Sequence, residues 1–240
     1  MTRLCAVVVL LLSPLALTAQ EGSDPGGGEP PEFASDPAAA ELLSKVEQKA
    51  LGARTLVLKL TKEVEQHGQK GQFSDEIFLK RDGNKVLVKV DGHFGEGKAR
   101  LSLLCDGKTT RQTGDRGERE MPAAAGFEGT VRRLLILGGV MPALEMAAGM
   151  PPEELARLEA FGVKFLGDET IGETKVRVIA YLFGSKRGMR MEEKVWVDEA
   201  TQTILKREMK DPTGANRVTE TYMEISLDKE IEDSTFVPGK

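Results

Sequence analysis

Hydrolytic and metal-dependent sites need converging nucleophiles, bases or ligands. This chain of 240 residues holds only two histidines, His67 and His93, and two cysteines, Cys5 and Cys105. Both histidines fall in expected turns, and neither has a partner at the HxH or HExxH spacing that seats a metal on one strand or one helix face. They read as solvated turn residues. Cys105 lies on the apolar side of an alternating strand with no evident base beside it, so it reads as a core thiol and not as a nucleophilic thiolate. The adjacent acids Asp168-Glu169 and Glu192-Glu193 point to opposite faces of a strand, which keeps them from converging for general acid–base work. Gly92, Gly95 and Gly97 neither follow the GxGxxG order nor open a helix, and no GxSxG elbow or GxxxxGK[ST] loop occurs. The expectation is a protein that binds without catalysing and needs no metal or cofactor.

Two other features carry information. Arg81 alternates onto the same strand face as Ile77 and Leu79, so its guanidinium is aimed toward the core side and needs acceptors. Carbonyls at the end of a helix in the insert described below would serve; a twisted or bulged strand that leaves Arg81 wet is the competing reading. Met141, Met146 and Met150 cluster in one segment. Flexible thioether side chains suit a surface that repacks around variable acyl chains, and ordinary core filling is the alternative.

The elements that must position these residues form two runs of strands around one apolar interruption. After Asp36 and Pro37, an N-cap followed by proline at the first helical position, Leu42, Leu43, Val46 and Ala50 share one face of a short helix ending near Gly52. From Arg54 the period becomes two. Leu56, Leu58, Leu60 and Val64 alternate with Val57, Lys59, Thr61 and Glu63, and further strands carry Phe73 to Arg81, Val86 to Val90 and Leu101 to Cys105, with a return arm over 109–113. Asp82-Gly83-Asn84 and Asp106-Gly107 supply the turns, and Gly92 to Gly97 reads as a loop. A charged, small-residue stretch, 115–126, leads into Phe127 to Phe161, which reads as two or three helices hinged at Gly138-Gly139, Pro142 and Pro151. Strands resume over 163–166, 176–182, 195–197, 204–209 and 217–227, with a basic loop at 184–191. A helical insert between runs of strands has to bury its apolar face on the sheet. The expected fold class is α+β: an incomplete, half-open antiparallel β-barrel with a helical lid or plug inserted between two runs of strands.

With 40% apolar residues the chain can build a sizeable core, and a net charge of −5 argues against sequence-independent nucleic-acid binding. Residues 1–19 combine Arg3, an apolar run over 4–17 and Thr18-Ala19 at a plausible cut, and read as a secretory signal, with an uncleaved anchor as the other outcome. Residues 20–37 are rich in Gly, Pro and acid and read as a flexible linker. With Cys5 inside the signal, Cys105 is the single cysteine left, which excludes an internal disulfide. A soluble, exported protein is expected.

The words Phe78-Leu79-Lys80-Arg81, Leu104-Cys105-Asp106-Gly107-Lys108-Thr109, Val195-Trp196-Val197-Asp198, Thr203-Ile204-Leu205-Lys206-Arg207, Asp211 to Gly214 and Thr235-Phe236-Val237-Pro238 occur in the order in which the periplasmic outer-membrane lipoprotein carriers show them. Spread over residues 40–240, their collinearity resembles that LolA-like family and the wider LolA-LolB-RseB-like superfamily. The resemblance implies a binding domain over 38–240 that holds acyl chains of lipids or lipoproteins, without chemistry, and passes them to a membrane-bound receptor. An envelope sensor contacting a membrane regulator through the same barrel is the alternative. It also implies a cavity lined by Leu58, Leu79, Val88, Leu103 and Trp196 from the strands and by Leu134, Leu137, Met141, Leu144 and Met146 from the insert. Arg81 falls where the carriers have the arginine that holds the lid shut.

Overall fold

The computed structural model describes residues 34–115, 117–122, 127, 131, 159–184 and 190–237. The expected signal, nearly all of the linker, most of the basic loop and most of the insert, with Leu134, Leu137, Met141, Leu144 and Met146, lie outside the described residues.

Helix α1 (Pro37–Gly52) starts where the sequence signals it: the Asp36 carboxylate accepts from the backbone N–H groups of Ala38 and Ala39, at 2.8 and 3.4 Å. A cap of this kind contributes about 1 kcal/mol, and Pro37 at the first position gives up no helical hydrogen bond. Ala39, Leu42, Val46 and Ala50 recur at helical spacing and are buried, while Leu43 is half-buried.

Among the described residues eleven strands follow: β1 (Thr55–Gln66), β2 (Gln69–Lys80), β3 (Lys85–Phe94), β4 (Gly97–Cys105), β5 (Thr109–Gly114), β6 (Gly117–Pro122), β7 (Glu159–Ile171), β8 (Thr174–Gly184), β9 (Arg190–Asp198), β10 (Thr203–Lys210) and β11 (Asn216–Leu227). They form one antiparallel sheet in the order β6-β5-β4-β3-β2-β1-β11-β10-β9-β8-β7. The first and last strands thus pair in the interior of the sheet, and each meander runs outward from them. The consequence is topological: β6 and β7 are the two edges of an open sheet, and residues 123–158 join one edge to the other.

One face of the sheet, the inner face, carries α1. Leu56, Leu58 and Leu60 of β1, Ile77 and Leu79 of β2, Val86, Val88 and Val90 of β3, Ile179 and Phe183 of β8 and Val195 and Val197 of β9 pack with the helix in one apolar core. The outer face is covered in two places: Ile231 and Phe236 of the C-terminal tail lie over Val57 and Leu87, and Val176 and Val178 pack with Trp196.

Three expectations are corrected. The insert was expected to be helical through Phe161, yet Ala160 and Phe161 belong to β7; Phe161 pairs with Leu182, and the strand continues past a register shift at Gly162, whose φ of 63° suits glycine. Residues 117–122 were expected to be a charged connection and instead form edge strand β6. Glu118 and Glu120 flank Arg111 of β5 at 2.8 and 3.6 Å, and charge on an edge discourages pairing with other chains. Gly92 and His93 lie within β3, not in a loop. A Cβ at Gly92 would stand 2.2 Å from the Gln72 carbonyl oxygen, so that glycine permits close strand approach.

Candidate functional site: the inner face

Register brings the expected strand residues together in rows. Leu58 faces Ile77, Ile77 faces Val88 and Val88 faces Leu103; in the next row Leu56, Leu79, Val86 and Cys105 follow one another across β1 to β4. Leu58, Leu79 and Val88 are buried, and Leu103 is half-buried against the same core. Cys105 is buried beside them, its Sγ 3.9 Å from the Asn84 carbonyl oxygen.

Helix α1 lies over the β1 side of this surface. Val46 and Ala50 face Leu56, Leu58, Ile204, Ile225 and Leu227 across a shallow apolar cleft, partly open to solvent, with Gln202 and Thr203 as its polar lining. Ties at both ends hold the helix. Val163 of β7 accepts from the Asp36 N–H at 2.7 Å and donates to Ser35 Oγ at 3.1 Å, while Lys49 Nζ donates to the Thr201 carbonyl.

Arg81 follows β2 at the far end of α1. Its Nε donates to the Ala53 carbonyl at 3.2 Å and its Nη2 to the Leu51 carbonyl, so it serves carbonyls that the helix end leaves without intrahelical donors. A cation there also favours the negative end of the helix dipole. These two acceptors lie at the end of α1; the sequence expected acceptors from the insert, most of which lies outside the described residues. The insert also contributes a ring. Phe127 places its centroid 4.5 Å from the Arg81 guanidinium carbon, and its backbone N–H donates to the Asn84 side chain in the adjoining turn. Phe127 and Val131 are both buried in the inner-face core.

Trp196 does not belong with the other expected lining residues. It sits on the outer face among Val176 and Val178, donates from Nε1 to Glu169 Oε2 at 2.8 Å, and has Lys206 Nζ 4.5 Å from its ring centroid. Its neighbours Val195 and Val197 take the inner face, and period-two alternation then places Trp196 outside.

Toward the Lys62 end of β1 the inner face turns polar, which the sequence reading did not anticipate. Lys62 and Asp75 form an ion pair at 2.7 Å with both side chains fully buried. Arg207 lies 3.6 Å from Glu193 and 3.9 Å from Glu220, again fully buried. The hydroxyl groups of Tyr181 and Tyr222 donate to Glu193 and Glu220 at 2.7 and 2.8 Å. Burial pushes the Glu193 carboxyl up to about 7, against the lowering influence of Arg207 and Tyr181. Asp75 is also raised, burial outweighing the attraction of Lys62. The signal available in the sequence was the strand parity of Lys62 with Leu58 and Leu60.

No protein-family model and no curated protein sequence matches the chain. Among solved structures it is similar to MucB at 13% identity and a TM-score of 0.46, covering 85% of this chain and 64% of that one. LprF from Mycobacterium bovis is similar at 10% identity and a TM-score of 0.49, covering 83% and 98% of the two chains. A LolA superfamily protein from Nitrosomonas europaea is similar at 10% identity and a TM-score of 0.38, covering 83% and 97%. The chain therefore spans just under two thirds of MucB.

Proposed function

We propose that this chain is an exported, non-enzymatic binder of acyl chains, holding them on the inner face of its open sheet beneath a lid formed by residues 123–158. One observation carries the reading: the segment joining the two free edges of the sheet is apolar, and its described residues, Phe127 and Val131, are buried on the inner face beside Leu79 and Val88. Arg81 then acts as the latch, holding the α1 terminus and Phe127 at once. Leu58, Leu79, Val88 and Leu103 line the strand side of the binding surface, and Leu134, Leu137, Met141, Leu144 and Met146 line the lid.

In this reading residues 1–19 direct export, 20–37 form a tether and 38–240 form the binding domain. Lipids or lipoproteins supply the acyl chains, and a membrane-bound receptor or regulator is the partner at release. Organic extraction and native mass spectrometry of protein purified from an envelope fraction test this. Recovery of stoichiometric acyl-bearing lipid is expected. Recovery of none, together with capture of a membrane regulator in a pull-down, would replace the reading with that of an envelope sensor.

A further inference from the structure

The polar end of the inner face holds more negative than positive charge. Its members come from six strands: Lys62 of β1, Asp75 of β2, Tyr181 of β8, Glu193 of β9, Arg207 of β10, and Glu220 and Tyr222 of β11, none more than 9% exposed. The backbone register sets them side by side, with Lys62 opposite Glu220, Glu220 opposite Arg207 and Tyr181 opposite Glu193. Two cations therefore face three carboxylates. Each carboxylate also keeps one buried oxygen without a hydrogen-bond partner: Asp75 Oδ1, Glu193 Oε1 and Glu220 Oε1.

A buried cluster with an unbalanced charge is strongly disfavoured, because desolvation is not offset by a partner. Among the described residues a third positive charge is missing. Among the described residues no group of three His, Cys, Asp or Glu is placed to hold a metal ion. The missing charge is then a proton. Asp75 has Lys62 to itself at 2.7 Å, whereas Glu193 and Glu220 share Arg207 at 3.6 and 3.9 Å, so one of these two is short of a cation. Glu193 is the one that burial drives toward the neutral form.

We propose that this seven-residue cluster is a proton-binding unit: the folded protein keeps one proton on Glu193 in place of a third cation, and losing it as the medium turns alkaline loosens the inner face across β8–β11. The proton is held more tightly in the folded chain, where the Glu193 carboxyl titrates near 7, than in the unfolded chain, where it titrates near 4.5. Stability from this group is fully present below the lower value, falls as pH rises between the two, and is gone above the higher. The inference stands independently of what the inner face binds.

Denaturant unfolding of the full chain and of Glu193→Gln between pH 4.5 and 8 is the test. In the wild type the folded-to-unfolded ratio is expected to fall on the order of a hundredfold across that range through this group. Glu193→Gln carries a neutral side chain in the place of the protonated acid, so the fall disappears and the variant at pH 8 is at least as stable as the wild type. A variant that loses stability equally at every pH while the wild-type fall persists would overturn the proposal, because Glu193 would then be the ionised partner of Arg207. Should the variant not fold, carboxyl-carbon NMR of glutamate-labelled wild type decides: one buried Glu resonance titrating near neutrality is expected, and titration of every Glu below pH 5 overturns it.

Discussion

Replacing Lys62 with Met removes one of the two buried cations and leaves Asp75, fully buried, without the ammonium 2.7 Å away. Breaking one side of a buried pair costs about 3–5 kcal/mol, because the remaining charge is stranded. The lost contact of Lys62 with the Phe73 ring, at 5.6 Å, adds a smaller amount. For a domain of this size each kcal/mol lowers Tm by about 2–4 °C, so the expected drop is roughly 6–20 °C. The loss should be smaller at pH 5 than at pH 8, because Asp75, already raised by burial, then takes up a proton. Adding Asp75→Leu removes the stranded charge and fills the space, and the double variant should return to within about 1 kcal/mol of the wild type or exceed it. Urea unfolding of both variants at the two pH values is the assay. A single-variant loss below about 1 kcal/mol, or a double variant no better than the single, would refute the claim that this pair is dry and mutually dependent.

Other expectations follow from the same geometry. Arg81→Leu removes donors from the Leu51 and Ala53 carbonyls and the cation from Phe127, so it should cost about 2 kcal/mol in urea unfolding. In stopped-flow displacement it should also speed release of a bound fatty-acid probe about tenfold; unchanged release would remove Arg81 from the latch role. Cys105→Ser buries a hydroxyl and should cost about 1–3 kcal/mol without weakening probe binding, which a titration of the variant checks. Trp196 is the chain's single tryptophan. With its ring on the outer face, a brominated fatty acid bound on the inner face should leave its fluorescence largely unquenched, and strong quenching would place the ligand on the wrong side of the sheet.

Much of the framework was legible because local rules and tertiary structure agree. The Asp36-Pro37 start of α1 and the alternation of Leu56, Leu58 and Leu60 each follow from a single local period or cap. Legibility failed where both faces of a strand are covered. Val195, Trp196 and Val197 are all buried, so a run of three apolar residues holds no information about which points inward. Val57 was misread in a related way: alternation put it on the polar side of β1, and Ile231 and Phe236 from the distant tail cover it. Strand β6 was illegible because an edge strand dominated by Glu118, Arg119 and Glu120 has no apolar face to alternate. The polar cluster was hidden for a different reason: Lys62, Asp75, Glu193, Arg207 and Glu220 look like solvated charges one strand at a time, and only the pairing of five strands brings them together. Two acceptors of Arg81, the Leu51 and Ala53 carbonyls, lie at the end of a helix about thirty residues upstream, which no local pattern in the sequence signals.

The central claim, an acyl-binding inner face, is tested most directly by titrating the purified, delipidated chain with a fluorescent fatty-acid probe. Saturable binding, with the blue-shifted emission of a dry site and displacement by an unlabelled fatty acid, is the predicted result. Absence of saturable binding in protein whose cooperative urea transition shows it to be folded would contradict the account.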